Sequence, residues 1–136
     1  MKNIIKKTIY FAGRSLTLEV GRLAQQATSA VLATYGETTV LATVVVGAED
    51  LKKDYAPISI EYQERLYAGG RIKGSRWVKR EGRGTDAEIL AGRVVDRSVR
   101  PLFPKNWRRE VQIIITVLSV DKVNDPVTVG LVAVSA

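Results

Sequence analysis

Cationic side chains are concentrated in the middle third of this 136-residue sequence. Residues 65–109 carry 13 basic and 4 acidic side chains, whereas residues 1–64 are electrically balanced and residues 110–136 have a net charge of −2. Guanidinium and ammonium groups at this density attract polyanions through their summed field and through contacts with phosphate oxygens. The alternative interpretation is a solvated basic surface that only keeps the protein soluble.

Glycines alternate with basic residues between positions 64 and 84, and no apolar periodicity is present there. We predict a long loop, in which glycine allows the backbone to approach a ligand closely. Trp77 stands among cations in this loop, and an indole can stack on an unpaired base while Lys79 and Arg80 hold the phosphate backbone. Together with Arg83, these are the residues of the loop that we expect to bind single-stranded nucleic acid. The alternative is that Trp77 packs into the core.

A helix is predicted over residues 86–99. Thr85 and Glu88 have the spacing of a capping box, and Pro101 requires the helix to end before it. A helical wheel places the following apolar residues together, on the side expected to face the core: Ala87, Leu90, Ala91, Val94 and Val95.

Three arginines of the same helix, Arg93, Arg97 and Arg100, share an arc about 60° wide. Like charges at this spacing repel each other, so their alignment favours an anion between them, and guanidinium groups suit phosphate oxygens. The alternative is an exposed face neutralised by Asp96, which can pair with Arg93 or Arg100. The residues alone leave both interpretations open.

The sequence contains neither cysteine nor histidine. This excludes disulfides, thiolate or imidazole metal ligands, Cys or His nucleophiles and a Ser-His-Asp triad. The carboxylates are scattered, so we predict no metal site and no catalytic residue; Asp121 and Asp125 are expected to form a turn at a strand end. The glycine-rich segment matches neither a Walker motif nor a dinucleotide-binding motif.

The remaining sequence is typical of a globular α+β domain, with 46% hydrophobic and 26% charged residues. No apolar run reaches the roughly 20 residues that a membrane span needs. The N-terminus lacks a secretory signal, so we expect a cytoplasmic protein with no membrane partner. Runs rich in β-branched residues predict strands at 8–11, 16–20, 29–35, 38–46, 58–62 and 110–121.

Two of these assignments carry further expectations. A helix over residues 23–33 competes with the strand at 29–35, because alanine and glutamine favour helix. The continuous β-branched run at 111–117 predicts a strand buried on both faces. Pro126 can open a last helix that runs to the end of the sequence, so residues 1–136 are expected to be part of a domain that continues further.

Four segments in the same order resemble bacterial polynucleotide phosphorylase. They are residues 62–65 (YQER), 67–75 (YAGGRIKGS), 79–83 (KREGR) and 93–104 (RVVDRSVRPLFP). The resemblance covers essentially the whole sequence and matches the first part of the first ribonuclease PH-like core of that family. It implies an α+β fold of the ribosomal-protein-S5-domain-2 type.

The resemblance also implies an activity for the complete protein. Family members degrade single-stranded RNA from 3′ to 5′ by phosphorolysis, with inorganic phosphate as co-substrate, and release nucleoside diphosphates. They form homotrimers, need Mg²⁺ or Mn²⁺, and can join RNA-degradosome partners. The second core, which holds the metal and phosphate sites, and the KH and S1 domains are absent here, so this chain alone is expected to be inactive.

In the family, the loop that contains Trp77, Lys79 and Arg80 grips RNA in the central channel, and the helix with the three arginines supports RNA binding near the second core. This sequence has one aromatic residue in the loop where two are usual, and it has Gly84 and Ser98 where proline is more usual. Two alternatives stay open: a single-core ribonuclease PH-like exoribonuclease, and a non-catalytic RNA-binding or scaffold subunit of an exosome-like ring.

Overall fold

The computed structural model describes residues 4–49, 55–72 and 84–136. Short 3₁₀ turns cover Leu66–Gly69 and Arg100–Leu102. In the described ranges, neither α-helix has the length and apolar character that crossing a membrane requires. The described residues form six strands and two α-helices: β1 (Ile5–Phe11), β2 (Arg14–Val20), β3 (Ser29–Tyr35), β4 (Thr38–Glu49), β5 (Ile58–Glu64), α1 (Asp86–Val99), β6 (Arg109–Ser119) and α2 (Pro126–Ser135).

The strands form one mixed sheet in the order β1-β2-β3-β4-β6-β5. The first four make an antiparallel meander, β6 pairs antiparallel with β4, and β5 pairs parallel with β6. Parallel neighbours cannot be joined by a tight turn, and α1 lies in the connection between β5 and β6. The predicted α+β class is confirmed.

Two hairpins begin the sheet. The first turns at Ala12 and Gly13, whose φ angles are 47° and 82°. Positive φ at both central residues is typical of a type I′ turn, whose twist matches that of the strands it joins. Arg14 already belongs to β2, because it pairs with Phe11. The competing helix over residues 23–33 is wrong, since β3 begins at Ser29.

Both helices pack against the same face of the sheet, α2 over β3 and β4 and α1 over β5. Alternate residues of β6 on this face are buried, whereas Ile114 and Thr116 on the other face are half-buried and Gln112 is exposed. The prediction that β6 is buried on both faces is therefore wrong, because neither described helix covers the second face. The core consists of Val31, Ala33, Val40, Ala42, Tyr62, Val95, Val99, Val111, Ile113, Ile115, Val117, Val129 and Ala133.

A polar corner ties the β3–β4 turn to the connection between β6 and α2. The Asp121 carboxylate accepts hydrogen bonds from the backbone N–H groups of Val123 and Asn124, from the Asn124 side chain, and from the buried Thr38 hydroxyl at 3.1 Å. These donors, the Asn124 N–H first, hold the pKa of Asp121 well below its usual range. Asp125 then caps α2 through the N–H groups of Val127 and Thr128, which confirms the predicted turn.

Candidate nucleic-acid interface

The start of α1 is fixed to the end of β5 by one carboxylate. The Thr85 hydroxyl accepts from the Glu88 N–H at 3.3 Å, and Glu88 accepts from the Thr85 N–H at 2.6 Å, which completes the predicted capping box. The other oxygen of Glu88 accepts from the Glu64 N–H at 2.7 Å. A local helix cap thus also joins α1 to β5 through two residues that are 24 positions apart in the sequence.

These hydrogen bonds change the acidity of Glu88. Burial alone would raise the pKa of its carboxyl, but hydrogen bonds from the backbone N–H groups of Thr85 and Glu64 lower it below the usual value. A carboxyl with a lowered pKa contributes stability above its unfolded-state pKa, and this contribution is lost as the pH falls through its folded-state pKa.

Glu88→Gln is therefore expected to lower the free energy of unfolding by about 1 kcal/mol at neutral pH. The difference from wild type should shrink in acidic solution, as the pH falls through the lowered folded-state pKa of Glu88 and the wild-type carboxyl also becomes neutral. Urea unfolding at neutral and at acidic pH measures this, with the exposed Glu110→Gln as the matched control. A difference that stays constant with pH would contradict the role of the charge.

The buried face of α1 matches the predicted one only at Val95 and at the partly buried Ala91. Gly92, Val95 and Val99 are buried, whereas Leu90 and Val94 are 61% and 54% exposed. A Cβ added at Gly92 would lie 3.5 Å from the Ile60 carbonyl oxygen, so the absence of a side chain lets the helix lie close to the β5 backbone. This contact rotates the helix by about 100° from the orientation that its apolar residues predict.

Arg100 is bound at the C-terminal end of α1. Its guanidinium forms an ion pair with Asp96 at 2.7 Å and donates to the carbonyl oxygens of Ala56 at 3.3 Å and Ile58 at 3.1 Å. Of the two interpretations left open by the sequence, the structure shows pairing with Asp96 for this arginine. Arg100 thereby ties α1 to the beginning of β5, and its contact with phosphate stays a prediction.

Arg93 and Arg97 are exposed on the outward side of α1. Within the described ranges, neither guanidinium has an ion-pair or hydrogen-bond partner. Leu90 and Val94 lie beside them on the helix, so apolar surface and unneutralised positive charge adjoin. We call this surface, formed by Leu90, Arg93, Val94 and Arg97, the outer face of α1. It can contact phosphate oxygens and the apolar surface of bases or sugars.

An open cleft of about 1280 Å³ lies between the end of β5, the following 3₁₀ turn and α1. Its rim includes Ile72 and Gly84. Trp77, Lys79, Arg80 and Arg83 lie outside the described residues. Apolar and charged residues both line the cleft, and the charged ones are Arg65, Arg71, Arg93, Arg100 and Lys122, and Glu61, Glu64, Glu88 and Asp96.

Sequence reasoning placed Arg65 and Arg71 in the basic segment but gave them no role. Both line the cleft, as Arg93 does. The signal that could have found them is their position directly after β5, whose end meets the start of α1. In the part of the chain that the structure describes, no three acidic residues come together in a way that could hold a metal ion.

Comparison with known proteins relates this geometry to a family. Residues 12–136 match the family described as "3' exoribonuclease family, domain 1". The chain belongs to this family. A polyribonucleotide nucleotidyltransferase of Maricaulis maris is 51% identical over 138 residues, covering 100% of this chain and 19% of that relative. A polyribonucleotide nucleotidyltransferase of Desulforamulus reducens is 49% identical over 133 residues, covering 98% of this chain and 18% of that relative.

These relatives confirm the resemblance that the motifs carry, since polyribonucleotide nucleotidyltransferase is another name for polynucleotide phosphorylase. The chain spans about a fifth of the length of the curated relatives that it matches. Two solved structures share the fold. Rice (Oryza sativa) Rrp46 is 13% identical with a TM-score of 0.56, covering 98% of this chain and 53% of that chain. An archaeal exosome core is 17% identical with a TM-score of 0.53, covering 96% of this chain and 44% of that chain. This likeness confirms the predicted ribonuclease PH-like fold.

Proposed function

We propose that this chain is the RNA-guiding part of a polynucleotide phosphorylase. The complete protein would degrade single-stranded RNA from 3′ to 5′ by phosphorolysis and release nucleoside diphosphates. The observation that carries the proposal is the outer face of α1, where Arg93 and Arg97 point outward without a described carboxylate partner. The chain that carries this face has about 50% sequence identity, over essentially its whole length, to polyribonucleotide nucleotidyltransferases.

The proposal assigns distinct tasks to the described residues. Arg93 and Arg97 contact the ribose-phosphate backbone, while Arg100 and Glu88 hold α1 on β5 and so position the outer face. Trp77, Lys79, Arg80 and Arg83, which the sequence predicts to lie in a loop, would contact the same RNA strand.

Other features of the proposal concern the longer protein. Residues 1–136 would be part of its first core domain. Mg²⁺ or Mn²⁺ would bind in the second core and stabilise negative charge on the attacked phosphodiester, with inorganic phosphate as the nucleophile. The protein would assemble as a homotrimer in the cytoplasm, and RNA-degradosome partners would join it there.

The double variant Arg93→Ala/Arg97→Ala is expected to weaken binding of single-stranded RNA irrespective of its sequence. Each lost phosphate contact should reduce the slope of log affinity against log salt concentration by about 0.7, so the double variant should lose about 1.4. Fluorescence anisotropy over a series of salt concentrations measures both quantities.

The matched control is Lys7→Ala/Arg14→Ala, which removes two cations from β1 and β2, the two strands farthest from β5 and α1 in the sheet. It should leave the salt dependence near the wild-type value. Equal slopes for wild type and the Arg93→Ala/Arg97→Ala variant would show that these arginines are merely solvated.

A non-catalytic exosome-like subunit is the second candidate, favoured by the fold shared with rice Rrp46 and the archaeal exosome core. The single-core exoribonuclease is the third. Incubating the longer protein with RNA and inorganic phosphate separates these functions. Release of nucleoside diphosphates by a protein with a second core supports the phosphorylase, release without one supports the single-core enzyme, and RNA binding without release supports the scaffold.

A further inference from the structure

Lys122, shortly after the end of β6, has a backbone conformation that lysine rarely adopts. Its φ angle is 61°, in the left-handed region, where a side chain crowds the backbone and glycine or asparagine is favoured. Residues held in this region persist only where the surrounding structure fixes them, and they cluster at functional sites. Glycine would adopt this conformation without strain, so the backbone does not explain why a lysine is present.

The turn that contains Lys122 is fixed by hydrogen bonds across it. Asp121, the residue before Lys122, accepts from the backbone N–H groups of Val123 at 2.9 Å and Asn124 at 2.8 Å, the two residues after it. The buried Thr38 hydroxyl donates to the same carboxylate oxygen at 3.1 Å. Because the backbone at position 122 is held in this way, the fold determines the direction in which the lysine leaves it.

Lys122 lines the cleft between β5 and α1, although it belongs to neither element. The end of β6 is held there by the Val120 N–H, which donates to the Ala68 carbonyl oxygen of the 3₁₀ turn at 3.2 Å. Within residues 4–49, 55–72 and 84–136, no carboxylate pairs with Lys122. The two nearest in sequence, Asp121 and Asp125, accept from N–H groups of the turn and of the α2 cap.

The other charges of the cleft leave two more cations in the same condition. Arg100 pairs with Asp96, and each of the three glutamates accepts a hydrogen bond from another described residue. The side chains of Arg71, Arg93 and Lys122 have no partner among the described residues. They come from three separate parts of the chain, the segment after β5, α1 and the segment after β6, and they meet at one cleft. A strand with successive phosphate groups can contact all three.

We propose that Lys122 is a further contact for the ribose-phosphate backbone of single-stranded RNA. The strand extends from the outer face of α1 into the cleft, where Lys122 and Arg71 contact its phosphate oxygens. An ammonium group binds phosphate as a point charge, so this contact is independent of base sequence. The inference rests on the proposed function and deepens it, because it assigns the cleft to RNA and adds a cation from outside residues 65–109.

Lys122→Gly separates the effect of the strained backbone from that of the charge. Glycine adopts the left-handed region freely, so the midpoint of urea unfolding should be equal to that of wild type or higher. The slope of log RNA affinity against log salt concentration should nevertheless fall by about 0.7, the value for one phosphate contact. The affinity at 0.1 M salt relative to that at 1 M salt thus falls about fivefold. Fluorescence anisotropy with single-stranded RNA measures this.

Ala12→Gly is the matched control for the backbone. Ala12 also has a positive φ angle, 47°, and it lies in the turn between β1 and β2, the two strands farthest from β5 in the sheet. This variant makes the same change of conformational preference without removing a charge, so its salt dependence should equal that of wild type.

Chemical rescue tests the charge at position 122 directly. The chain contains no cysteine, so Lys122→Cys introduces a single thiol. Its thiolate displaces bromide from 2-bromoethylamine, which forms a carbon–sulfur bond and gives a side chain that ends in an ammonium group like that of lysine. The untreated variant should have the reduced slope, and the treated variant should regain the wild-type slope. Wild type treated with the same reagent shows any effect at other residues.

A wild-type slope for Lys122→Gly, or a slope that stays reduced after alkylation, would overturn the role of Lys122. If Arg93→Ala/Arg97→Ala shows its expected reduction at the same time, the proposed function stands and only this inference fails. If wild type does not bind single-stranded RNA, both fail. Lys122→Gly must also reduce the slope in the longer protein, because an unchanged slope there would mean that RNA does not reach the cleft.

Discussion

Ile115→Ala is expected to lower the free energy of unfolding by about 4 kcal/mol. Ile115 is fully buried at the centre of the sheet, where Ala42 of β4 and Tyr62 of β5 lie on either side of it. A Cβ added to Gly130 of α2 would lie only 2.9 Å from an Ile115 methyl group, so α2 covers this side chain without a gap. Truncation therefore leaves a cavity that rigid neighbours cannot fill.

The matched control for this change is Ile114→Ala, one residue earlier on β6. Ile114 points to the face of the sheet that neither described helix covers and is half-buried. Its truncation should reduce the free energy of unfolding by about 1 kcal/mol, because it removes less area from water and leaves no enclosed cavity. Urea unfolding of both variants measures the contrast, and equal losses would contradict the one-sided core.

Gly92→Leu is expected to lower the free energy of unfolding by about 3 kcal/mol. Gly92 faces the β5 backbone near the Ile60 carbonyl oxygen and the Tyr62 N–H, so a long side chain must push α1 away from the sheet. The same movement would strain the contacts of Glu88 with β5. Because it displaces the outer face of α1, it should also weaken RNA binding.

Gly92→Ala separates crowding from helix propensity. A Cβ at this position would make only ordinary contacts, the nearest at 3.5 Å, while alanine favours the helix by about 1 kcal/mol relative to glycine. The alanine variant should be as stable as wild type or more stable, and its RNA affinity should be unchanged. A leucine variant as stable as the alanine variant would contradict the close approach of α1 to β5.

The ends of α1 could be predicted from the sequence because their causes are local. Thr85 and Glu88 are three residues apart and form the capping box, and Pro101 excludes continuation of the helix. The Asp96–Arg100 ion pair was foreseen as an alternative for the same reason, since the two residues are one helical turn apart.

The orientation of α1 and the second partners of its charged residues depend on β5 and could not be predicted in this way. Leu90 and Val94 predict the wrong buried face of α1. The close contact of Gly92 with the β5 backbone, and not the apolar pattern, determines which side of the helix faces the sheet. Likewise, no local rule shows that Arg100 reaches the carbonyl oxygens of Ala56 and Ile58, or that Glu88 reaches the Glu64 N–H. Of the candidate site, the basic helix was therefore predictable, and the division of its arginines into a structural one and two outward-facing ones was not.

The place of β6 between β4 and β5 has a consequence for how the chain folds. The Thr43 hydroxyl donates to the Ile114 carbonyl oxygen, 71 positions later in the sequence, whereas two-residue turns close the β1–β2 and β3–β4 hairpins. During synthesis the meander can form first, but β5 and α1 have no neighbour to dock against until β6 emerges from the ribosome. Closing such a long loop is entropically costly, so β6 insertion should limit the folding rate and place it among the slower, non-locally connected domains.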